Sequence, residues 1–526
     1  MTSDTAEMTI VDPTGVSAAD GPGVAEPTAT ASTNASGVAG RGATASMDAS
    51  GVAGRGATAS MDASGVAGRG ATASTDATGG LPKRWAPWWL RPAGRLDTAQ
   101  MVAVRDCWRA LWISRAVVFV AGVGAVAAFG VGRARSAFDP SGITSGFGWL
   151  GDQLVAPVAR WDAVWYLVIA HYGYRPDLGL PTASRTAFFP LYPLSVRGIS
   201  ELGVPPIAAG VALSLVAFAA ALYGIHRLCT LELSRLAGGS RHAGEVASGA
   251  VLVTALAPMA FFFSAVYSES LYLALSVGVF WCARRGRWAH AAALGALASA
   301  TRSAGLVLVV PMLILYLYGP REDREPDLPA RAWWRPRYVV RRDLLWLAAV
   351  PVGVLAYMGY LALAGGAPLE PFHAQEVWNR HFAGPYVGVW DGARAAFDGV
   401  RQLLSFQRTH IYFSVAGGSP FVDAGHNAML FAFLLAAVPM TIGVLRRLPL
   451  AYGAYVLAAL ALPLSYPVAP QPLMSLPRFE VVLFPLGMWL GAWLADRPRA
   501  RLPVLVLLAL LMAFFVGEFA TWHWVA

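Results

Sequence analysis

An all-α protein that crosses a membrane many times is the fold this sequence predicts, on three observations. Only 13% of the 526 residues are charged, 56% are hydrophobic, and mean hydropathy is +0.51, whereas soluble proteins carry about 25% charged residues. The apolar residues come in blocks close to the roughly 20 residues that a helix needs to cross about 30 Å of hydrocarbon. Finally, the arginines sit in short connections between those blocks. Topology therefore explains the net charge of +9, and with no soluble basic domain a nucleic-acid partner is excluded.

Residues 1–80 form a polar tail with three nearly identical copies of ASGVAGRGATASMD, from Ala35 to Asp76. Such composition cannot bury enough apolar surface to offset chain entropy, so the tail reads as disordered, a recently expanded linker or else a binding array. No apolar core follows Met1, which reads against a signal peptide. Residues 81–110 are a juxtamembrane segment whose WAPWWLRPAGR stretch, Trp85 to Arg95, suits an interfacial anchor. Cys107, Cys229 and Cys282 show no CxxC spacing, so neither zinc nor a disulfide is indicated. Lys83 is the single lysine among abundant Ala, Gly, Val and Arg, the bias of a GC-rich bacterial coding sequence, which points to a bacterial plasma membrane.

Residues 111–526 are the membrane domain, with apolar blocks at 111–132, 205–226, 246–266, 268–283, 288–302, 304–318, 344–364, 427–445, 450–466, 479–496 and 502–521. That makes about eleven candidate spans. The arginine-rich connections all face the cytoplasm only if Trp288 to Tyr318 enters and leaves on one side, hinged near TRSAG. The amino terminus is then inside, and residues 133–205, 365–425 and 466–477 lie outside.

Those outer stretches hold the chemistry-bearing residues. RWDAVWYLVIAHYGY places Arg160, Trp161 and Asp162 ahead of Ala163–Tyr172, a helix of about 15 Å that is too short to span. It must lie along the interface or dock beneath other helices, and Gly173 is placed to stop it. Asp162 reads as an N-cap and, compatibly, as a carboxylate at the mouth of a cavity, with Arg160 keeping it ionised as a base must be. AFFPLYPL, with Phe188 and Tyr192, makes a kinked aromatic platform that packs internally or stacks on a sugar or prenyl chain.

Glu269 in YSESLYL lies at membrane depth, where a carboxylate needs a polar cavity or an arginine, unless it ends a hairpin at the surface. Arg302 in SATRSAGL is a candidate phosphate binder or a partner for Glu269. Arg478 in SLPRFEVV is another phosphate candidate or a snorkelling anchor. GGAPLEPFHAQEVWNRHF adds Gln375, Glu376, Trp378 and Arg380 as polyol-binding candidates, while His373 and His381 have no metal-ligand spacing. There is no Walker loop and no credible GxGxxG, so an enzyme working outside would need a preactivated, lipid-borne donor.

In this order RWDAVWYLVIAHYGY, AFFPLYPL, YSESLYLAL, TRSAGL and SLPRFEVVLFPL resemble the GPI mannosyltransferase II (PIG-V-like) family of GT-C integral membrane glycosyltransferases, over roughly residues 105–525. The resemblance implies a GT-C-like domain with re-entrant or interfacial helices in its first outer loop. It implies transfer of mannose from polyprenyl-phosphate-mannose to an extracytoplasmic glycan, lipoglycan or protein acceptor, by inverting displacement. Asp162 is the matching essential aspartate of that loop, and Arg302 and Arg478 would steady the leaving phosphate. Arg160, Glu269, Tyr192, Gln375 and Trp378 would bind substrate. Bacteria lack GPI anchors, so the eukaryotic acceptor does not carry over, and dependence on a divalent cation stays open. The competing readings are a lipid-linked-sugar flippase or transporter, which would be expected to carry internal repeats within the membrane domain, and a scaffold using its tail as a partner arm.

Overall fold

The structure is a computed structural model. It describes residues 97–525 except 140, 176–183, 234–239, 329–334, 379, 407–418 and 469–470. The repeat tail and the Trp85–Arg95 anchor lie outside the described residues.

Eighteen α-helices account for the described architecture: α1 (Thr98–Phe129), α2 (Ala134–Phe138), α3 (Gly148–Leu154), α4 (Ala163–Tyr172), α5 (Leu191–Ser200), α6 (Pro206–Leu233), α7 (Ser240–Leu256), α8 (Glu269–Arg284), α9 (Trp288–Thr301), α10 (Val309–Tyr318), α11 (Val352–Leu363), α12 (Glu370–His373), α13 (Pro385–Ser405), α14 (Pro420–Arg447), α15 (Leu450–Leu464), α16 (Leu476–Glu480), α17 (Phe484–Ala495) and α18 (Pro498–Ala520). Among the described residues extended pairing is limited to one antiparallel bridge, Arg380 with Val468. The chain is an all-α, multi-pass membrane protein.

Each of the eleven apolar blocks is helical, and the helices differ in length. By length and composition four helices can cross a membrane, α1, α6, α14 and α18, and a fifth arises if 342–349 and α11, bent by 41°, act as one. The remaining six blocks form helices of 10 to 17 residues. Specific residues break them. Arg115 of α1 donates to the carbonyls of Ala260 (3.1 Å) and Ala255 (3.4 Å) and to Ser264, which caps the end of α7 and keeps the 246–266 block from continuing. Arg302 is extended (φ −157°, ψ 148°), so the predicted hinge after α9 exists. There a Cβ on Gly305 would lie 2.3 Å from backbone atoms of Ala298 and Ser299, so only glycine lets the turn fold back on α9. Close approach also joins α7 to α17, where a Cβ on Gly491 would stand 2.4 Å from the Ala250 nitrogen.

The short helix of the opening motif has the predicted bounds. Gly173 ends α4 with φ 74°, its N–H bonding the Ile169 carbonyl at 2.9 Å. Seven of its residues, Ala163, Val164, Tyr166, Leu167, Val168, Ile169 and Ala170, are buried, so α4 docks beneath other helices. It brings Asp162 to the inner wall of a cavity formed with α8, α9, α15 and α16.

Candidate active site

The turn that carries Asp162 is held from two sides. The Tyr267 hydroxyl donates to the Arg160 carbonyl at 2.9 Å, and the Val266 N–H to the Val158 carbonyl at 3.1 Å. From the other side comes the segment after α18. Arg160 Nε donates to the Ala520 carbonyl (3.1 Å), its guanidinium lies over Trp522, and Trp161 Nε1 donates to the His523 carbonyl (3.2 Å). Trp161 packs on Phe138, Trp522 and Trp524 at centroid distances of 4.7, 5.6 and 5.1 Å. Its backbone is left-handed (φ 56°), a conformation that costs a bulky residue of order 1 kcal/mol or more and persists only where its surroundings over-determine it.

Asp162 occupies the N-cap position of α4 without acting as a cap, since its side chain makes no hydrogen bond to the helix. Its Oδ2 pairs with Arg478 instead. Arg478 Nε lies 2.9 Å from Glu269 Oε1, and Arg302 donates to that same oxygen at 2.8 Å. Asp162, Arg478, Glu269 and Arg302 are thus linked in a chain of alternating charge. Glu269 is wholly buried at its inner end. Burial works against the Arg478 cation, but Glu269 and then Asp162 overcome it and raise its pKa, so this guanidinium stays charged. Tyr166, hydrogen-bonded to Ser268 at 2.8 Å, is pushed up to about 12 by burial and by Glu269, which keeps its phenol neutral.

A cavity of about 270 Å³ opens beside this chain. Asp162, Arg302, Arg380, Arg478 and Gln375 line it together with Phe188, Phe189, Ala304, Leu462, Val482, Leu483 and Trp524. A lining that combines arginines with aromatic and aliphatic side chains suits an amphiphile with an anionic head. Among the described residues no three His, Cys, Asp or Glu side chains gather as a metal site.

Of the residues singled out from sequence, Asp162, Arg302, Arg478 and Gln375 meet at this cavity, with Glu269 bonded behind the two arginines. The Arg302–Glu269 pair read from the sequence is present. Arg478 does not snorkel outward as an anchor: it is buried and paired on both sides. Two candidates do not line the cavity. Arg160 is buried against the 520–523 backbone, where burial lowers its pKa to about 10. Tyr192 is buried with its hydroxyl bonded to the Gly210 carbonyl (3.1 Å) and Ser214 (3.0 Å), a packing role. Trp378 closes the short helical turn 374–378, and its side chain lies outside the described residues.

Arg380, read from the GGAPLEPFHAQEVWNRHF loop with Gln375 as a polyol-binding candidate, also lines the cavity. Sequence reasoning gave no site role to Trp524. Trp524 follows the last apolar block, where an aromatic residue reads as an interface anchor.

Residues 141–317 match the family model described as Mannosyltransferase (PIG-V). The chain is 27% identical over 237 residues to GPI alpha-1,6-mannosyltransferase 2 of Mus musculus, covering 42% of this chain and 44% of that one. To the enzymes of the same name from Rattus norvegicus and Homo sapiens it is 32% identical over 165 residues and 30% over 170, covering 30% of this chain and 32% of each relative. The chain thus spans less than half the length of these curated relatives. No solved structure matches.

Proposed function

Residues 141–317 are PIG-V-like, and on that premise we propose that the protein is a membrane mannosyltransferase. It transfers mannose from polyprenyl-phosphate-mannose to a hydroxyl of an extracytoplasmic glycan, lipoglycan or protein. The observation that carries this reading is the placing of Asp162 on a cavity lined both by arginines and by apolar and aromatic side chains. A sugar linked through phosphate to a prenyl chain presents the same two kinds of group. The composition, with one lysine among abundant Ala, Gly, Val and Arg, supports a bacterial plasma membrane, and the arginine-rich connections support an amino terminus inside and a cavity facing out.

In the proposed reaction the acceptor oxygen attacks the anomeric carbon from the face opposite the phosphate. The new C–O bond forms as the bond to phosphate breaks, and the bonding pair leaves with the polyprenyl phosphate. Asp162 takes the acceptor proton. Its Oδ2 is held by Arg478, while Oδ1 has no hydrogen-bond partner among the described residues and is the oxygen available as base. Glu269 fixes Arg478 and Arg302 so that their positive charge is in place before the leaving phosphate develops its own. Trp524, which also lines the cavity, is the aromatic side chain assigned to the acceptor in this reading.

The test is mannose transfer by membranes carrying Asp162→Asn, which should lose activity while expression is unchanged. Wild-type activity in that variant overturns the reading. Strict dependence on a nucleotide sugar would do the same for the donor. Vesicles that translocate a lipid-linked sugar and form no glycosidic product would replace it with the transport reading.

A further inference from the structure

Ion pairing divides the three arginines of the cavity into two kinds. Arg302 and Arg478 share Glu269, and Arg478 also holds Asp162. Arg380 has no carboxylate partner among the described residues; its side chain makes one hydrogen bond, from Nη2 to the Met474 carbonyl at 3.3 Å. Three arginines therefore face two carboxylates, and the cavity carries one positive charge in excess, located on Arg380.

Arg380 is also fixed in place. Its N–H bonds the Gln375 carbonyl (3.2 Å), its backbone bridges to Val468, and three residues on the Ala383 N–H bonds the Ser465 carbonyl (2.8 Å). Burial and the nearby Arg478 lower its pKa to about 10, against the pull of Asp162, which still leaves it charged at neutral pH. Arg380 is half-buried, and an uncompensated cation partly withdrawn from water is costly and is retained where an anion arrives to complete it. A guanidinium presents a planar fork of donors that matches two phosphate oxygens, and most of this one is uncommitted.

We propose that Arg380 is the seat of the donor's phosphate, and that its ligand is a singly charged lipid phosphodiester. This rests on the glycosyl-transfer reading for the sugar, and on the excess charge alone for the phosphate. It adds a residue to the pair read from the sequence: Arg302 and Arg478, held by carboxylates, lend the leaving phosphate their charge, and Arg380 binds it directly. One charge on the ligand balances the one in excess, which a nucleotide-diphosphate sugar, more highly charged and without a prenyl chain for the apolar side chains, does not do.

The experiment uses the full chain in discs of neutral phosphatidylcholine, with methyl farnesyl phosphate as the singly charged probe and farnesol as its neutral counterpart. Wild type should prefer the phosphodiester by about tenfold to a hundredfold, the range for hydrogen bonds to a charged group. Arg380→Gln should erase that preference and Arg380→Lys should keep part of it. If the Gln variant does not fold, phenylglyoxal labelling of the wild type gives the answer: methyl farnesyl phosphate should protect Arg380, and farnesol should not. Full preference in Arg380→Gln, or labelling that the probe does not change, overturns the proposal. So does displacement of the probe by phosphatidylglycerol added to the disc at no more than the probe's own concentration, since the seat would then make no use of the prenyl chain and would not be the donor's. A preserved phosphate preference with no mannose product would sink the transfer reading and leave the seat standing.

Discussion

Helix α8 carries a buried charge at each end, and the two ends differ. Glu269 is its first residue and Arg284 its last, about 22 Å apart at 1.5 Å per residue. Arg284 pairs with Glu232, donates to the Pro320 carbonyl at 2.8 Å, and shares Glu232 with the Tyr452 hydroxyl at 2.9 Å. Its side chain and that of Glu232 are 0% and 2% exposed. Around Glu269, by contrast, the side chains of Arg302, Arg478 and Asp162 remain 13%, 10% and 20% exposed, toward a cavity. One network is closed with its charges balanced; the other is open and keeps a cation in excess. Burial of charge alone marks neither function nor structure. The open oxygen and the unmatched charge make the distinction.

Substitutions at the two ends should separate them. The largest effect on turnover is expected for Asp162→Asn, a loss of about 10²- to 10⁴-fold in mannose transfer, the span typical of general-base removal, with the thermal unfolding midpoint nearly unchanged. Arg284→Gln, at the closed end, should act on stability: it strands Glu232 and should cost about 3–5 kcal/mol, read as lower yield and melting temperature, while the KM of the protein that survives stays the same. A changed KM there would break the contrast. Trp524→Ala should raise the acceptor KM by about tenfold at most, as expected for one lost ring contact, and Trp524→Phe should recover most of it with the donor KM constant. The smallest change is expected for Tyr192→Phe, about 1 kcal/mol of stability from its hydrogen bonds and no change in turnover; a large loss of activity would return Tyr192 to the site.

Local features were the legible ones. The bounds of α4, its stop at Gly173, the break at Arg302 and the Arg302–Glu269 pair all follow from helix length, glycine and the cost of an unpaired charge. Long-range partners were not legible. The motif RWD looks alike whether its aspartate caps the helix or reaches Arg478, 316 residues further along, and only tertiary packing decides. Arg160 and Tyr192 share that limit: each is polar and close in sequence to the cavity, yet each turns to a carbonyl on another element. Helix ends inside the apolar blocks were not legible either, because hydropathy gives apolar length and does not register an internal cap such as Arg115 on the end of α7.

The left-handed Trp161 has a consequence for the order of synthesis. Its indole is held by Trp522, Trp524 and the carbonyl of His523, 362 residues later. Until the ribosome has delivered that segment, the turn is held only from its other side, by Phe138, Val266 and Tyr267. The nascent chain can insert its earlier helices while this grip is incomplete, and the Asp162 turn is clasped from both sides only when the last helix has folded.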